Sequence, residues 1–331
     1  MKNIKRKIIV IVGPTASGKT EIGVKLAKAV NGEIVSADSR QIFRGLDIGT
    51  GKDLFEYEEI KYHLIDICDP GENFNLFKYL ELSRSAIEDI FSRGKTPIIV
   101  GGTGLYIQAL IQGFQLKPIQ NSKFKIQNES RPSTRDYSRE QLNHLTMEDL
   151  QDVLKSIDLN VYKNLADKKN PHRLIRAIEK AQSGEIVTKV KPDFEALQIG
   201  LDWSRGALNE RIDKRVDDRF RQGMMEEVVD LLKSGVDPVW LMKLGLEYRI
   251  ITQFIISDSK ATLNIQMKND QINEKWSTKK IMTFESMSQT LKLRSHQYAK
   301  RQMTWFKRFP EIFWESDFRR ITVLVKAYLS K

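Results

Sequence analysis

The residues best equipped to do chemistry stand together near the start of the chain, in Gly13-Pro14-Thr15-Ala16-Ser17-Gly18-Lys19-Thr20. They match the phosphate-loop pattern G-x-x-x-x-G-K-[ST] at every fixed position. Glycines there let consecutive backbone N–H groups turn inward around a phosphate. A following helix N-terminus adds partial positive charge, and Lys19 adds a full one. Thr20 is then the expected contact to Mg²⁺ or to phosphate. The motif specifies a diphosphate or triphosphate ligand without saying which, so ATP fits it as well as any diphosphate ester.

A second set follows at Asp38-Ser39-Arg40-Gln41, and a third at Gly101-Gly102-Thr103-Gly104. Asp38 has the chemistry of a Mg²⁺ ligand, of a general base, or of an N-cap for the turn behind it, and spacing alone does not choose among these. The glycine turn lets something planar or anionic approach the backbone, while Thr103 offers a hydroxyl that can donate or accept.

These sets need a scaffold that brings them to one edge. Lys7 to Val12 is a short apolar, β-branched run, and Glu21 to Val30 carries Ile22, Leu26 and Val30 at helical spacing. The phosphate loop therefore joins a strand to a helix. Glu33 to Ala37, His63 to Cys68 (stopped by Pro70 and Gly71), Pro97 to Val100 and Ala196 to Leu201 are predicted as further strands, and Phe77 to Arg93 as a helix closed by Gly94. Strands alternating with helices imply an α/β fold: a phosphate-loop NTPase-like parallel sheet flanked by helices. Residues just past the carboxyl ends of its strands face the ligand crevice.

From about Gln115 the pattern changes. Lys117 to Arg139 is polar, basic and aperiodic, and is expected to be a long mobile excursion. Leu145 to Ala181 is predicted helical, with Leu150, Val153, Leu154 and Ile157 on one stripe. It breaks at Asn170-Pro171, and a second helix from His172 turns Leu174, Ile175 and Ile178 inward. Arg173 and Arg176 share a face of that helix, as a solvated basic surface or as a contact for RNA phosphates. The expected organisation is a core over 1–115, a helical insertion over 116–195, and a core return with a basic helical end over 196–331.

In that last part Arg211, Arg215 and Arg219 recur every four residues on a helix opened by Trp203 and Ser204. They form a guanidinium stripe read as opposite the Ile212 and Val216 side, with Glu210, Asp213, Asp217 and Asp218 as competing partners. Lys243 to Arg249 is a glycine-marked turn into another helix, and Ser257 to Thr283 has no clean period. His296 to Arg308 interleaves aromatics with basic residues, the mixture that neutralises phosphates and stacks bases.

Composition narrows the class. Lys plus Arg outnumber Asp plus Glu by 54 to 43 in 331 residues, for a net charge of +11, which favours a polyanionic partner. No run reaches a membrane span and no signal-peptide pattern opens the chain, so a cytoplasmic protein is expected; the protein is also expected to be a monomer. One cysteine, Cys68, excludes an internal disulfide and a cysteine-cluster zinc site; between apolar neighbours it fits a buried structural position.

Taken together, these motifs resemble the bacterial tRNA dimethylallyltransferase family. The resemblance rests on the phosphate loop, on Asp38-Ser39-Arg40-Gln41 with Arg44-Gly45-Leu46-Asp47-Ile48-Gly49-Thr50, and on Gly101-Gly102-Thr103. Asn170 to Ala177 and Tyr298-Ala299-Lys300-Arg301-Gln302-Met303-Thr304-Trp305 complete it. It implies transfer of a dimethylallyl group from dimethylallyl diphosphate to N6 of the adenosine beside the anticodon of tRNA. It further implies Asp38 as general base and Thr103 on the target base; the charge that grows on the leaving diphosphate is expected to be met by Lys19, the loop N–H groups, Arg215 and Mg²⁺, with Thr20 as the expected contact to the ion. The anticodon stem-loop would meet Asp38, Ser39, Arg40, Gln41, Thr103, His172, Arg173, Leu174, Ile175, Arg176, Lys300 and Arg301. Two stretches depart from the family pattern: Gly245-Leu246-Glu247-Tyr248-Arg249 replaces its Gly-Tyr-[Arg or Lys], and 117–139 matches poorly. A small-molecule kinase using ATP, or a prenyltransferase acting on free adenine nucleotides, would use the same loop but leave the basic C-terminal segment unexplained.

Overall fold

In a computed structural model, residues 6–116, 137–183, 188–257 and 283–331 are described. Two compact units emerge, one formed by 1–113 and 191–331 and the other by 114–190.

The first unit opens with β1 (Arg6–Val12), the phosphate loop and α1 (Lys19–Val30). Ile8 to Val12 are fully buried, the signature of a parallel strand covered on both faces. Next come β2 (Gly32–Ser36), a short 3₁₀ turn over Leu54–Tyr57, β3 (Tyr62–His63), α2 (Leu76–Ser92), β4 (Thr96–Gly101) and α3 (Gly104–Ile111). The expected strand over His63 to Cys68 pairs with β2 only at Tyr62 and His63. Leu64 and Asp66 then adopt left-handed backbone, with φ of 63° and 55°, which turns the chain out of the sheet. Asp66 N–H and Ile67 N–H donate instead to the carbonyls of Gln41 and Ile42. There the Asp66 carboxylate also meets the fully buried Lys52. Asp47 pairs with the same ammonium at 2.6 Å, so two carboxylates meet the buried cation, and these contacts help hold the turned-out segment in place. Cys68 is buried and free, as expected.

Within the second unit, β5 (Phe114–Gln115) and β6 (Thr188–Lys189) form a two-stranded antiparallel ribbon. Between them lie α4 (Arg139–Asn143), α5 (Met147–Ile157), α6 (Leu159–Asn164) and α7 (Pro171–Ser183). Asp158 closes α5 and caps α6 through Val161 N–H, adding a break that the apolar stripe does not reveal. Leu142, Leu150, Leu154, Leu174, Ile175 and Ile178 form the core of this unit. Most of the excursion over 117–139 lies outside the described residues.

The chain rejoins the first unit through β7 (Phe194–Gly200), then α8 (Arg205–Arg221), α9 (Met224–Lys233), α10 (Pro238–Leu244) and α11 (Leu246–Ser257). It ends with α12 (Phe284–Phe306), β8 (Ile312–Trp314) and α13 (Phe318–Leu329). Nearly all of the aperiodic stretch after Ser257, 258–282, falls outside the described residues. The main sheet runs β3-β2-β4-β1-β7-β8, every pairing parallel. This order brings the ends of β1, β2, β4 and β7 to one edge. The phosphate loop, Asp38, the glycine turn and Trp203 all project there, at the rim where open α/β sheets hold ligands.

Candidate active site

The phosphate loop is shaped locally and pinned from afar. Ala16 and Gly18 take left-handed backbone, with φ of 61° and 83°, and Gly18 leads into α1. Lys19 Nζ donates to Pro14 O at 2.6 Å. Arg211 Nε donates to Ala16 O at 2.9 Å, the Trp203 indole N–H donates to Ser17 O at 3.0 Å, and the Arg211 guanidinium lies over the Trp203 ring. Burial, reinforced by the nearby Arg215 cation, pushes the Lys19 ammonium down to about 7, while Asp38 pulls it the other way.

Around this loop opens a cleft of about 400 Å³, lined by the loop together with Asp38, Arg40, Asp53, Gly102 and Arg215. Asp38 Oδ1 accepts from Arg40 N–H at 2.9 Å, so the carboxylate caps the following turn while also facing the cleft. Thr103 Oγ1 accepts from Ser39 N–H at 3.1 Å, tying the turn after β4 to the turn after β2. Arg40 donates to Glu247 at 2.9 Å and stacks near the Tyr298 ring. Burial opposes the charge of Arg40, but Glu247 and Asp38 outweigh it and leave the guanidinium more firmly protonated than usual.

The arginines of α8 divide their work. Arg215 Nη2 lies 3.3 Å from Asp53 Oδ2. Arg219 donates to Gly49 O at 3.1 Å and lies 3.7 Å from Glu247, and burial together with Arg215 brings it down to about 9. Here the expectation of a stripe opposite the apolar side is corrected. Consecutive helical residues are only about 100° apart, so the stripe borders the buried face, and Arg219 is itself buried. None of the three is seen to bond an acid of its own helix. Asp213 and Asp217 reach across to His296 and Lys292 of α12 instead.

The other expected residues separate by burial. Gln41 is buried in the cleft lining, accepting from the Ser36 hydroxyl and donating to Gly51 O, so its amide braces the cleft wall. Leu174 and Ile175, at 0% and 3% exposure, belong to the core of the helical unit. Their side chains are therefore withdrawn as RNA contacts, because apolar burial holds them inside. His172 and Arg173 are exposed on the first turn of α7, whereas Arg176 is half-buried beside Glu179. Lys300 and Arg301 are exposed on α12. Thr20 lines the cleft beside the Tyr57 hydroxyl.

Several residues that shape the site were not singled out by the sequence. Gln302 accepts from Thr15 N–H at 2.8 Å and donates to Gly102 O at 3.0 Å. Glu227 accepts from the backbone N–H groups of Asp47, Ile48 and Gly49 and from the Tyr248 hydroxyl, fixing the loop that leads to Asp53. For Gln302 the only signal was its place in the Tyr298 to Trp305 motif. For Glu247 it was the departure from the family pattern. For Glu227 there was none.

This arrangement can be compared with known proteins. The family model for IPP transferase matches residues 41–309, and the model for isopentenyl transferase matches 6–61. The chain belongs to the IPP transferase family. Its relatives include tRNA dimethylallyltransferase 2 of Syntrophotalea carbinolica, 39% identical over 91% of this chain and 90% of that one. Another, tRNA dimethylallyltransferase 1 of Parabacteroides distasonis, is 38% identical over 93% and 92%. Among solved structures, the full-length tRNA isopentenylpyrophosphate transferase of Bacillus halodurans is 32% identical with a TM-score of 0.65, covering 98% of this chain and 96% of that one. A eukaryotic dimethylallyltransferase acting on tRNA shares the fold, with a TM-score of 0.70 at 23% identity over 98% of this chain and 80% of that one. The parallel sheet flanked by helices is thus the architecture of this IPP transferase and of its structural relatives.

Proposed function

We propose that this IPP transferase moves a dimethylallyl group from dimethylallyl diphosphate to N6 of the adenosine beside the anticodon of a tRNA, releasing diphosphate. The observation that carries the reading is the convergence of Lys19, Asp38 and Arg215 on one cleft beside Thr103. In the reaction the N6 nitrogen attacks the first allyl carbon as the bond from that carbon to the diphosphate oxygen breaks. The N6 proton passes to the Asp38 carboxylate. An exocyclic adenine amine is a poor nucleophile because its lone pair is delocalised, so a base helps. Charge grows on the departing diphosphate, and Lys19, the loop N–H groups and Arg215 are placed to stabilise it, each such donor being worth about 3–4 kcal/mol of barrier.

Mg²⁺ suits this site as a companion of the diphosphate. Among the described residues no cluster of three or more His, Cys, Asp or Glu forms a metal cage. Mg²⁺ is commonly held by substrate phosphates, water and one or two protein oxygens, and the Thr20 hydroxyl is the oxygen offered here. Bound there, the ion would help neutralise the diphosphate.

The RNA side of the reading rests on charge and exposure. The net +11 has exposed members in Lys300 and Arg301 on α12 and in Arg173 on α7, and the target base would have to leave its stack to reach the cleft. Among the described residues no helix is long and apolar enough to cross a membrane, and we take the enzyme to act as a cytoplasmic monomer. The test is incubation of labelled dimethylallyl diphosphate with tRNA, with AMP, or with no acceptor. Label should enter only the tRNA and should vanish when the adenosine beside the anticodon is replaced by guanosine. Label in AMP would overturn the choice of acceptor.

A further inference from the structure

The glycine turn after β4 is glycine for steric reasons that all point at its neighbours. A Cβ on Gly101 would stand 2.3 Å from Ala37 O, one on Gly102 would stand 2.6 Å from Gln302 Nε2, and one on Gly104 would meet the Trp305 ring at 2.2 Å. Two of the three neighbours lie on α12. The segment of α12 that carries the exposed Lys300 and Arg301 therefore packs its other face onto the turn that holds Thr103. Gln302 sits at the centre of that contact, 8% exposed, and its carboxamide is fully directional: the oxygen must face the Thr15 N–H and the nitrogen must face Gly102 O. Both partners line the one cleft, Thr15 on its phosphate-loop side and Gly102 on the side of Thr103. Thr15 is the third residue of the phosphate loop and lines the cleft, so its N–H is a donor that a phosphate oxygen would compete for. Gly102 immediately precedes Thr103, where the adenine is read to dock.

We propose that Gln302 is a latch between the diphosphate site and the base site, an inference that rests on the function proposed above. A diphosphate that takes the Thr15 N–H breaks one bond of the bridge. RNA that loads Lys300 and Arg301, on the same helical turn as Gln302, or that settles its base against the Gly102–Thr103 peptide, breaks the other. Whichever ligand arrives first meets the cost of opening the latch, and the second arrives at a released loop. The two substrates thereby favour each other, and linkage requires the factor to be the same in both directions. Gln302 is a positioning residue in this scheme, since it acts through the loop and not on the reacting atoms.

The test uses the full chain, inorganic diphosphate as probe and an anticodon stem-loop RNA, with affinities from isothermal titration. In the unaltered enzyme, saturating RNA should tighten diphosphate binding by roughly 5-fold or more, the lower end of ordinary coupling. Gln302→Ala removes the latch, so diphosphate alone should bind more tightly than to the unaltered enzyme, and RNA should add less than about 2-fold. Gly102→Ala reaches the same bond from the other side, because its methyl group displaces the amide, and it should behave alike. Thermal melts confirm that both variants are folded. Weaker diphosphate binding in both folded variants without RNA, or coupling undiminished in both, would overturn the latch. Independent binding of RNA and diphosphate to the unaltered enzyme would refute the latch while leaving the proposed function standing. Failure of both ligands to bind the unaltered enzyme would instead remove the function on which it rests.

Discussion

Replacing Glu247 with glutamine tests how the cleft tolerates its own positive charge. The Glu247 carboxylate is 12% exposed and stands between Arg40 at 2.9 Å and Arg219 at 3.7 Å, whose side chains are 14% and 8% exposed. At an effective dielectric of about 20, a contact at 4 Å is worth ~4 kcal/mol before desolvation is charged against it. Removing one partner of a buried ion pair costs about 3–5 kcal/mol net. Glutamine retains an acceptor oxygen and the cleft beside it admits water, so the expected loss is ~3 kcal/mol, large beside a typical stability of about 5–15 kcal/mol. Urea unfolding at pH 7 measures it through the midpoint at constant slope. The cause has a distinct signature. The substitution removes the carboxylate that the two guanidiniums share, leaving Arg40 with Asp38 at 3.8 Å, so an anion in the cleft should restore part of the loss, and inorganic diphosphate should raise the melting temperature more in Glu247→Gln than in the unaltered enzyme. A loss below about 1 kcal/mol, with equal diphosphate stabilisation in both proteins, would refute the reasoning.

Asp38→Asn preserves shape and the cap to Arg40 but removes the base, so single-turnover rates should fall by about 10²-fold or more with little change in tRNA affinity. Arg173→Ala should raise the tRNA KM and remove about 0.7–0.9 from the log-log salt slope of binding, leaving turnover at saturating tRNA intact. Arg215→Ala should do the reverse, depressing kcat with the salt slope unchanged; an exchange of these two outcomes would mean that the sites are assigned the wrong way round. Glu33, 1% exposed, is hydrogen-bonded by Arg93, by His63 and by Lys95, and these partners overcome burial to hold its carboxyl well below the usual range. A lowered folded-state pKa contributes stability that is present above the unfolded value of about 4.3 and lost as the pH falls toward the folded value. Glu33→Gln should therefore destabilise at pH 7 by ~2 kcal/mol, discounted for partly exposed partners. The deficit should shrink below pH ~4, as followed by urea midpoints across pH.

Local sequence determined a great deal here, because the signals concerned are local physics. The β-branched run Ile8 to Val12, the glycines of the phosphate loop and the period of α1 each select a backbone within a few residues, so strand, loop and helix were legible together. Periodicity also turned Leu174, Ile175 and Ile178 inward, and the structure agrees with it where the motif resemblance had offered Leu174 and Ile175 to RNA. Arg173, one position earlier, is exposed, since one helical step of about 100° separates core from surface.

The tertiary structure decided what each cleft residue bonds to. Arg40 finds Glu247 from 207 positions away, Thr15 finds Gln302 from 287, and Arg211 finds Ala16 from 195. No period or propensity encodes such pairs, because they arise only when the parallel sheet order sets the ends of β1, β2 and β4 beside α8, α11 and α12. The same holds for the segment after His63, whose apolar pattern predicts a strand. There the left-handed turns at Leu64 and Asp66 carry the chain out of the sheet, and the Asp66 carboxylate joins that of Asp47 on the buried Lys52. A charge that must be paired in a dry interior acts across the whole fold, and its demand is invisible until the fold is in hand.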